Sequence, residues 1–330
     1  MTDFEPLRVL VVTNMYPTAA RPYFGIFVRR QVDALRRAGI DVELEVVAAD
    51  RGELDYLGGR GRVAARVHRF RPHLIHCHYG YTPLAAAFSG RPYVLTLCGD
   101  DLNGQSNGRG GITLKSRAGT LVTQLFAVSA RRVIVKSEEM RRRLWRRSRA
   151  KSELLPNGVN TTLFSPGSQR EARERLGISA EAWVMLFVNS IRQATKRLDL
   201  ALATRDELAR RGVPVHLLVA DSVAADTMPW YYRAADVLLM TSDREGAPNC
   251  VKEALACGVP VVAVPVGDIP ELITRPGMGR VVMRDPGALA DGILAIGRAG
   301  DGRANLLPPE LSEERVAERL IGIYRQAARR

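Results

Sequence analysis

Short runs of apolar residues recur along the chain, and helical patterns separate several of them. In the first half these runs lie at residues 8–13, 42–47, 74–77, 93–97 and 133–135, and in the second half at 184–188, 215–219, 237–240 and 259–264. A short continuous apolar run is typical of a strand buried on both faces, and strands that alternate with helices form a parallel sheet. Each half is therefore predicted to be a doubly wound α/β domain.

Turn-forming residues in the middle of the chain predict a boundary between the two domains. Pro156 and the pair Asn157-Gly158 interrupt the pattern, and an amphipathic helical pattern follows Ser312 near the C-terminus. A chain of 330 residues also exceeds the usual size of one domain. We predict an N-terminal domain at 1–160, a second domain at 161–310 and a helix at 311–330 that packs back toward the first domain. Two such domains leave a cleft between them, and ligands bind beyond the carboxyl ends of the strands.

Positive charge is concentrated in the first half of the chain. Residues 1–165 hold 26 basic and 14 acidic side chains, a net charge of +12, whereas residues 166–330 hold 22 and 21, a net charge of +1. The densest basic run lies between Arg141 and Arg149, is predicted to be helical and contains Trp145. A Trp among Arg residues suits an anionic membrane surface, and a solvated helix face explains the same run equally well.

Cysteine usage and hydropathy bear on the compartment. The four cysteines form no C-x-x-C pair, which is typical of reduced thiols in a cytosol. The chain starts with polar and acidic residues, unlike a signal peptide, and no apolar run approaches the ~20 residues of a spanning helix. We expect a cytoplasmic protein, with peripheral attachment at the inner face of the membrane left open.

The segment at residues 241–273 carries the most informative chemistry. Glu245 and Glu253 lie eight positions apart, and Gly246 follows the first of them. A glycine loop that runs into a helix N-terminus allows close backbone approach and supplies N–H donors for anionic or hydroxyl-rich ligands. One carboxylate can then accept from a hexose and the other from a ribose. A capped surface helix with two solvated Glu residues explains the spacing alone equally well.

At these residues the sequence resembles a known family. The stretch EGAPNCVKE from Glu245 to Glu253, followed by ALACGVPVV and VGDIPELI, is similar to the signature of retaining glycosyltransferases of family 4, which have the GT-B architecture. The resemblance extends to residues 14–17, 22–28 and 155–159. It implies two Rossmann-like doubly wound domains that face each other across a cleft. It also implies transfer of a sugar, with retention of configuration, from a nucleotide-sugar donor to a glycan, lipid-linked or natural-product acceptor, with UDP- and GDP-sugars as the expected donors.

The resemblance assigns donor-binding roles in the second domain. Glu253 would bind the ribose of the nucleotide, and the catalytic Glu245 would contact the donor sugar. The loop that joins them would help to bind the donor through its backbone; it consists of Gly246, Ala247, Pro248 and Asn249.

Cationic side chains are expected to stabilise the leaving diphosphate without proton transfer. Lys196 matches the family's diphosphate-binding Lys. The family's V-G-R sequence reads Val188-Asn189-Ser190 here, so its Arg has no counterpart, and Arg192 of the same loop is our candidate substitute. With these cations at the leaving group, we predict neither a metal ion nor a cofactor, and a front-face attack in which Glu245 positions the donor.

Three residues of the first domain complete the predicted site. Gly25 would lie against the donor phosphates, although a tight turn also explains it. His78 ends a strand and matches an acceptor-side residue of the family, where we count it as catalytic. Cys98 stands where many members have a His that contacts the donor sugar, and a thiol is only a weak hydrogen-bond donor. His76 and His78 share one face of the strand, but no third ligand at suitable spacing favours a metal site.

Two other functions compete with glycosyl transfer. One is another nucleotide-sugar-processing enzyme of the same architecture, such as an epimerase, which the Glu245 and Glu253 segment disfavours. The other is a basic nucleic-acid-binding protein. Base stacking needs aromatic residues among the basic ones, yet Trp145 stands alone in the basic run and aromatic residues total 6% of the chain. We therefore expect no nucleic-acid partner.

Overall fold

A computed structural model of the chain describes residues 6–47, 55–86, 89–104, 113–188, 193–298, 300 and 302–329. The chain forms two compact units. Unit 1 consists of Met1–Gly158 and Glu313–Arg330, and unit 2 consists of Val159–Ser312. Each unit contains one sheet, and each pair of neighbouring strands in both sheets is parallel. The prediction of two doubly wound α/β domains is therefore confirmed.

Unit 1 is built on a six-stranded sheet with the order β2-β1-β3-β4-β5-β6. Its strands are β1 (Arg8–Thr13), β2 (Asp41–Val46), β3 (Leu74–His78), β4 (Tyr93–Thr96), β5 (Arg132–Val135) and β6 (Ser152–Leu154). Its helices before the chain enters unit 2 are α1 (Ile26–Arg37), α2 (Asp55–Gly58), α3 (Arg60–Phe70), α4 (Pro83–Ala86), α5 (Asp100–Asn103), α6 (Leu114–Ser129), α7 (Glu138–Arg143) and α8 (Arg146–Arg149).

Unit 2 is built on a five-stranded sheet with the order β11-β10-β9-β7-β8. Its strands are β7 (Val184–Val188), β8 (His216–Ala220), β9 (Val237–Met240), β10 (Val261–Ala263) and β11 (Gly279–Val281). Its helices are α9 (Gln169–Leu176), α10 (Leu198–Arg210), α11 (Met228–Ala234), α12 (Asn249–Ala256), α13 (Ile269–Leu272) and α14 (Pro286–Ile296), and short 3-10 helices lie at Ala194–Lys196 and Pro309–Leu311.

The last helix, α15 (Glu313–Ala328), returns to unit 1. Its apolar residues Leu320 and Tyr324 are fully buried in a cluster that includes Val9 and Val11 of β1 and Val28 of α1. The apolar stripe on one face of α15 explains this burial, because a helix with such a stripe is stable only when the stripe is covered.

The basic run at residues 138–149 is not one helix, so that prediction is wrong. Helix α7 ends at Arg143, and Trp145 has extended backbone angles before α8 begins. The Gln124 side chain explains the break, because it donates to Arg143 O at 2.8 Å and accepts from Trp145 N at 3.1 Å. Arg149 also donates to the backbone oxygens of Arg141, at 3.2 Å, and Leu144, at 2.9 Å, so the run folds back on itself.

None of the described helices has the length and apolar character needed to cross a membrane.

Candidate functional site

The loop at residues 241–248 follows the carboxyl end of β9 and is fixed to the turn that contains Lys196. Thr241 Oγ1 donates to Lys196 O at 2.9 Å, and the backbone N–H of Asp243 donates to Thr195 O at 2.8 Å. On the other side Arg284 Nη1 donates to Asp243 Oδ1 at 2.7 Å. These bonds connect three segments that are far apart in sequence, so the loop is held in place by the scaffold.

Lys196 and Glu245 form an ion pair, with 2.7 Å between Lys196 Nζ and Glu245 Oε1. The pair is mostly shielded from solvent, since 21% of the Lys side chain and 13% of the Glu side chain are exposed. Lys196 ends a 3-10 helix, and the next residue, Arg197, has a φ of 57°. A non-glycine residue in this left-handed region is uncommon and is often found at functional sites. The structure thus brings together two predicted site residues that lie 49 positions apart.

Helix α12 carries Glu253 in a fixed orientation. Tyr232 Oη of α11 donates to Glu253 Oε2 at 2.9 Å, and Tyr232 is fully buried. Burial raises the pKa of Tyr232 well above its ordinary value, so the phenol remains a hydrogen-bond donor. Sequence reasoning missed Tyr232, because no spacing rule connects it with Glu253.

The predicted loop residues Gly246, Ala247, Pro248 and Asn249 lead from Glu245 into α12. Pro248 precedes the helix with extended backbone angles, and no side chain caps the first turn. A helix N-terminus of this kind presents backbone N–H donors and a partial positive charge. Pro248 has no N–H, so it shapes the loop but donates no hydrogen bond. Arg192, the proposed second cation, lies outside the described residues.

In unit 1 the two histidines of β3 lie against each other, with 4.1 Å between their ring centroids. The ring nitrogens of His76 share hydrogen bonds with Tyr324 Oη at 2.6 Å and Thr96 Oγ1 at 2.7 Å. Both nitrogens of His78 are buried and have no hydrogen-bond partner among the described residues. Burial lowers the pKa of His76 to about 3 and that of His78 well below its ordinary value. Both rings are therefore neutral at physiological pH.

Cys98 follows β4 in a turn organised by Asp101. One oxygen of the Asp101 carboxylate accepts from the backbone N–H of Cys98 at 3.1 Å and of Gly99 at 2.9 Å, and the other accepts from Gly80 at 3.0 Å. Burial raises the pKa of Asp101 to about 6 and also raises that of the Cys98 thiol. A protonated thiol is a poor nucleophile, so the geometry gives no support to a covalent role for Cys98.

Gly25 immediately precedes α1 and has a φ of 70°. A Cβ atom at this position would lie 2.3 Å from the carbonyl carbon of Met15, so only glycine fits without a rearrangement. The backbone of Gly25 therefore packs closely against the loop that follows β1. Gly25, His78 and Cys98 all belong to unit 1, whereas Lys196, Glu245 and Glu253 belong to unit 2.

Comparisons with known proteins identify the family of the chain. The family model described as Glycosyltransferase Family 4 matches residues 7–163, and the model described as Glycosyl transferases group 1 matches residues 175–298. The glycosyltransferase TuaC of Bacillus subtilis, assigned to teichuronic acid biosynthesis, is 24% identical over 87% of this chain and 88% of its own length.

Solved structures show the same fold at low sequence identity. Sucrose-phosphate synthase from Thermosynechococcus elongatus superposes with a TM-score of 0.74 at 19% identity, covering 97% of this chain and 98% of that one. Anabaena Alr3699/HepE in complex with UDP-glucose gives a TM-score of 0.65 at 18% identity and covers 98% of both chains. These likenesses and the two parallel sheets show that the chain has the GT-B fold. The two family-model matches show that it belongs to the group 1, family 4 glycosyltransferases.

Proposed function

We propose that unit 2 binds a nucleoside diphosphate sugar and that the enzyme transfers its sugar to an acceptor hydroxyl with retention of configuration. The observation that carries the proposal is the Lys196–Glu245 ion pair at the start of the loop that leads into α12. It joins the two charges that this reaction needs in one place: a cation for the diphosphate and a carboxylate for the sugar.

The leaving diphosphate gains negative charge as the glycosidic bond breaks. The bonds to Glu245 and Thr241 hold Lys196 in place, so its charge is positioned where that negative charge is proposed to develop. The N-terminus of α12 adds a second source of positive potential. These groups supply the stabilisation that a bound cation provides in other transferases, and we therefore propose a reaction without a required metal ion or cofactor.

Glu253 is proposed to accept from the ribose hydroxyls. A carboxylate can accept several hydrogen bonds, so Glu253 can bind ribose while Tyr232 keeps it oriented. Glu245 is proposed to accept from a donor-sugar hydroxyl while it remains bonded to Lys196. In that arrangement Glu245 positions the donor, and the acceptor attacks from the face that the diphosphate leaves. UDP-glucose in the Anabaena structure supports a UDP-sugar donor, with GDP-sugars as the alternative.

Unit 1 is proposed to bind the acceptor. His78 is neutral, and its buried ring nitrogens have no partner among the described residues, so they can exchange hydrogen bonds with an acceptor hydroxyl. Glycans, lipid-linked precursors and natural products all carry such hydroxyls. The assignment of TuaC to teichuronic acid biosynthesis supports a glycan acceptor among these.

The test is a panel of UDP-, GDP- and ADP-sugars with a range of acceptors and with or without EDTA. We expect turnover of a UDP- or GDP-sugar that EDTA does not reduce, and NMR of the product should show the anomeric configuration of the donor. An inverted product would contradict the retaining mechanism, and loss of turnover in EDTA would contradict metal independence. No turnover of any nucleotide sugar would contradict the proposal as a whole.

We also propose that unit 1 contacts an anionic membrane through a surface that we call the basic patch, which consists of Arg142, Trp145, Arg146 and Arg147. All four side chains are exposed, and 42% of Trp145 is accessible. Helix α6, whose Gln124 accepts a hydrogen bond from Trp145 N, also exposes Leu121 (53%) and Leu125 (55%). Exposed apolar side chains and arginines together suit a lipid interface.

The other arginines of the run have partners within the protein, which identifies a matched control. Arg141 pairs with Glu138 at 3.1 Å, and Arg143 pairs with Glu139 at 2.6 Å. Sedimentation with vesicles containing phosphatidylglycerol at physiological salt should show binding that the substitutions R142Q, R146Q and R147Q abolish together. The control substitutions R141Q and R143Q should weaken binding less. Absence of co-sedimentation of the unaltered protein would overturn the membrane proposal.

A further inference from the structure

Two buried charged side chains lie next to the loop at residues 245–248. Lys252, on α12, is completely buried, and its Nζ donates a long hydrogen bond of 3.5 Å to Ala247 O. Asp268, which precedes α13, is 8% exposed, and its Oδ1 accepts no hydrogen bond from the described residues. The mechanism proposed above uses neither side chain.

The residue before Asp268 contacts the same loop through its backbone. Gly267 has a φ of 60°, and a Cβ atom there would lie 2.6 Å from Gly246 O. Only glycine therefore allows this turn to pack directly on the loop. The Gly246–Ala247 peptide bond is trans, so its N–H points away from its carbonyl oxygen and hence away from Gly267.

Lys252 and Asp268 influence each other without forming a direct ion pair. Burial lowers the pKa of Lys252, and the charge of Asp268 opposes that change. Burial raises the pKa of Asp268 to about 6, and the charge of Lys252 opposes that rise. Burying two charges without close pairing costs stability, and an apolar pair of similar size is often at least as stable. Stability alone thus gives no reason for these two residue types.

We propose that Lys252 and Asp268 are positioning residues that fix the backbone of Gly246 and Ala247 for contact with the donor sugar. Lys252 orients the Ala247 carbonyl, while the turn at Gly267 and Asp268 restrains the Gly246 carbonyl. As a result the N–H of Ala247 is presented on the opposite side of the loop. The inference rests on the proposed donor site and adds to it the residues that determine its loop geometry.

The proposed role predicts different effects of substitution on the donor sugar and on the nucleotide. Lys196 and Glu253 are proposed to hold the diphosphate and the ribose, and they are supported by Thr241 and Tyr232. A change at Lys252 or Asp268 should therefore disturb the sugar and the reaction rate, and leave the affinity for the free nucleotide nearly unchanged. If Lys252 and Asp268 only stabilised the fold, their substitution would lower the reaction rate and the nucleotide affinity together.

The experiment compares Lys252→Met, Asp268→Asn and the double variant, with Glu271→Gln as the control. Glu271 is an exposed acid of α13, so its loss removes a charge near Asp268 while both buried charges remain. The double variant removes both buried charges, and we expect its melting temperature to match or exceed that of the unaltered protein. We expect kcat for the donor sugar to fall at least tenfold in the double variant, while the Kd for UDP or GDP changes less than twofold.

Amide hydrogen exchange supplies a readout that does not depend on catalysis. Exchange at Gly246 and Ala247 should be at least tenfold faster in the double variant, while exchange in β9 and β10 stays unchanged. Unchanged exchange in the loop, an unchanged kcat in the double variant, or a parallel loss of nucleotide affinity and kcat would each overturn the inference. If the unaltered protein turns over no nucleotide sugar, the proposed function fails, and the exchange measurement still decides whether these residues position the loop.

Discussion

The candidate residues of the two units are held in opposite electrostatic states. In unit 2 the site contains a charged pair, Lys196 and Glu245, that is only partly exposed. In unit 1 burial keeps His76 and His78 neutral and the thiol of Cys98 protonated. Yet the half of the chain that carries the net charge of +12 is the one with the neutral candidate residues, and the half with +1 holds the ion pair.

The difference shows that net charge describes the surface of a unit and not its site. The basic residues between Arg141 and Arg149 lie in exposed helices and turns, where solvent screens them. Desolvation acts at the strand ends and favours whichever form of a group is neutral unless an opposite charge is close. Lys196 and Glu245 lie 2.7 Å apart, so each provides the other with an opposite charge.

The largest effect is expected from separating the charged pair of unit 2. Lys196→Met should lower kcat/KM by about 10²–10³-fold, the typical loss when one group that stabilises developing charge is removed. Glu245→Gln should also be strongly impaired, and the double variant should be little worse than either single variant because the two residues act as a unit. Steady-state kinetics measures all three.

Arg170→Ala provides the control for the loss of a cation from unit 2. Its side chain is 77% exposed and lies on α9, so the substitution should leave the kinetics unchanged. Additive losses for Lys196→Met and Glu245→Gln would show that the two residues act independently, which contradicts their treatment as one unit.

The neutral histidines of unit 1 predict a pH-dependent stability. The pKa of His76 is about 3 in the folded protein and near 6.5 when unfolded. The unfolded chain therefore binds more protons between these values, and the stability that is present above pH 6.5 is lost as the pH falls toward 3. The expected slope is up to about 1.4 kcal/mol per pH unit for each such histidine.

His76→Asn should reduce that slope by up to about 1.4 kcal/mol per pH unit relative to the unaltered protein, which corresponds to one proton fewer taken up on unfolding. Chemical denaturation between pH 4.5 and 7.5 measures it, with Trp183 and Trp230 replaced by Phe so that Trp145 reports on unit 1. An identical slope in both proteins would show that His76 is not held neutral.

A smaller effect is expected at the hydrogen bond that orients Glu253. Tyr232→Phe removes a bond of 2.9 Å within unit 2 but keeps the buried ring. Loss of a hydrogen bond to a charged group corresponds to about 1.5 kcal/mol, or roughly tenfold in Kd. Calorimetry with UDP or GDP should show this weakening, and unchanged affinity would remove Glu253 from the proposed nucleotide contacts.

The smallest effect is expected at Cys98, whose thiol should react slowly. Burial raises its pKa, so little thiolate is present below pH 9. Mass spectrometry of the protein in iodoacetamide should find Cys98 alkylated far more slowly than glutathione in the same solution. Equal rates would show that the Cys98 turn is open and that unit 1 is less desolvated than the structure indicates.

Much of the fold follows from local sequence patterns, and the site follows from them less completely. The long buried strands were predictable because parallel strands need apolar residues on both faces. The short strands β6 and β11 lack such a run, and they form because a neighbouring parallel strand, β5 or β10, offers them hydrogen-bonding groups. The break between α7 and α8 depends on Gln124 of another helix, so no pattern within the basic run predicts it.

The site residues divide in the same way. Glu245, Glu253 and Lys196 were recognised from motifs, and their roles stay predictions. Tyr232 was not recognised, because its importance comes from a hydrogen bond to Glu253, 21 positions away. Asp268 lies within the recognised stretch VGDIPELI but was given no role, because its burial beside the loop is visible only in the structure. Motifs identify groups that face a ligand, whereas the groups that support them become visible only in three dimensions.

The return of α15 to unit 1 has a consequence for synthesis on the ribosome. Val9 and Val11 of β1 emerge early, but Leu320 and Tyr324, which share their buried cluster, emerge only after all of unit 2. At a translation rate of roughly 5–20 residues per second, residues 159–312 delay that cover by about 8–30 seconds. During this interval the nascent chain displays an uncovered apolar face, which is the kind of surface that chaperones protect from aggregation.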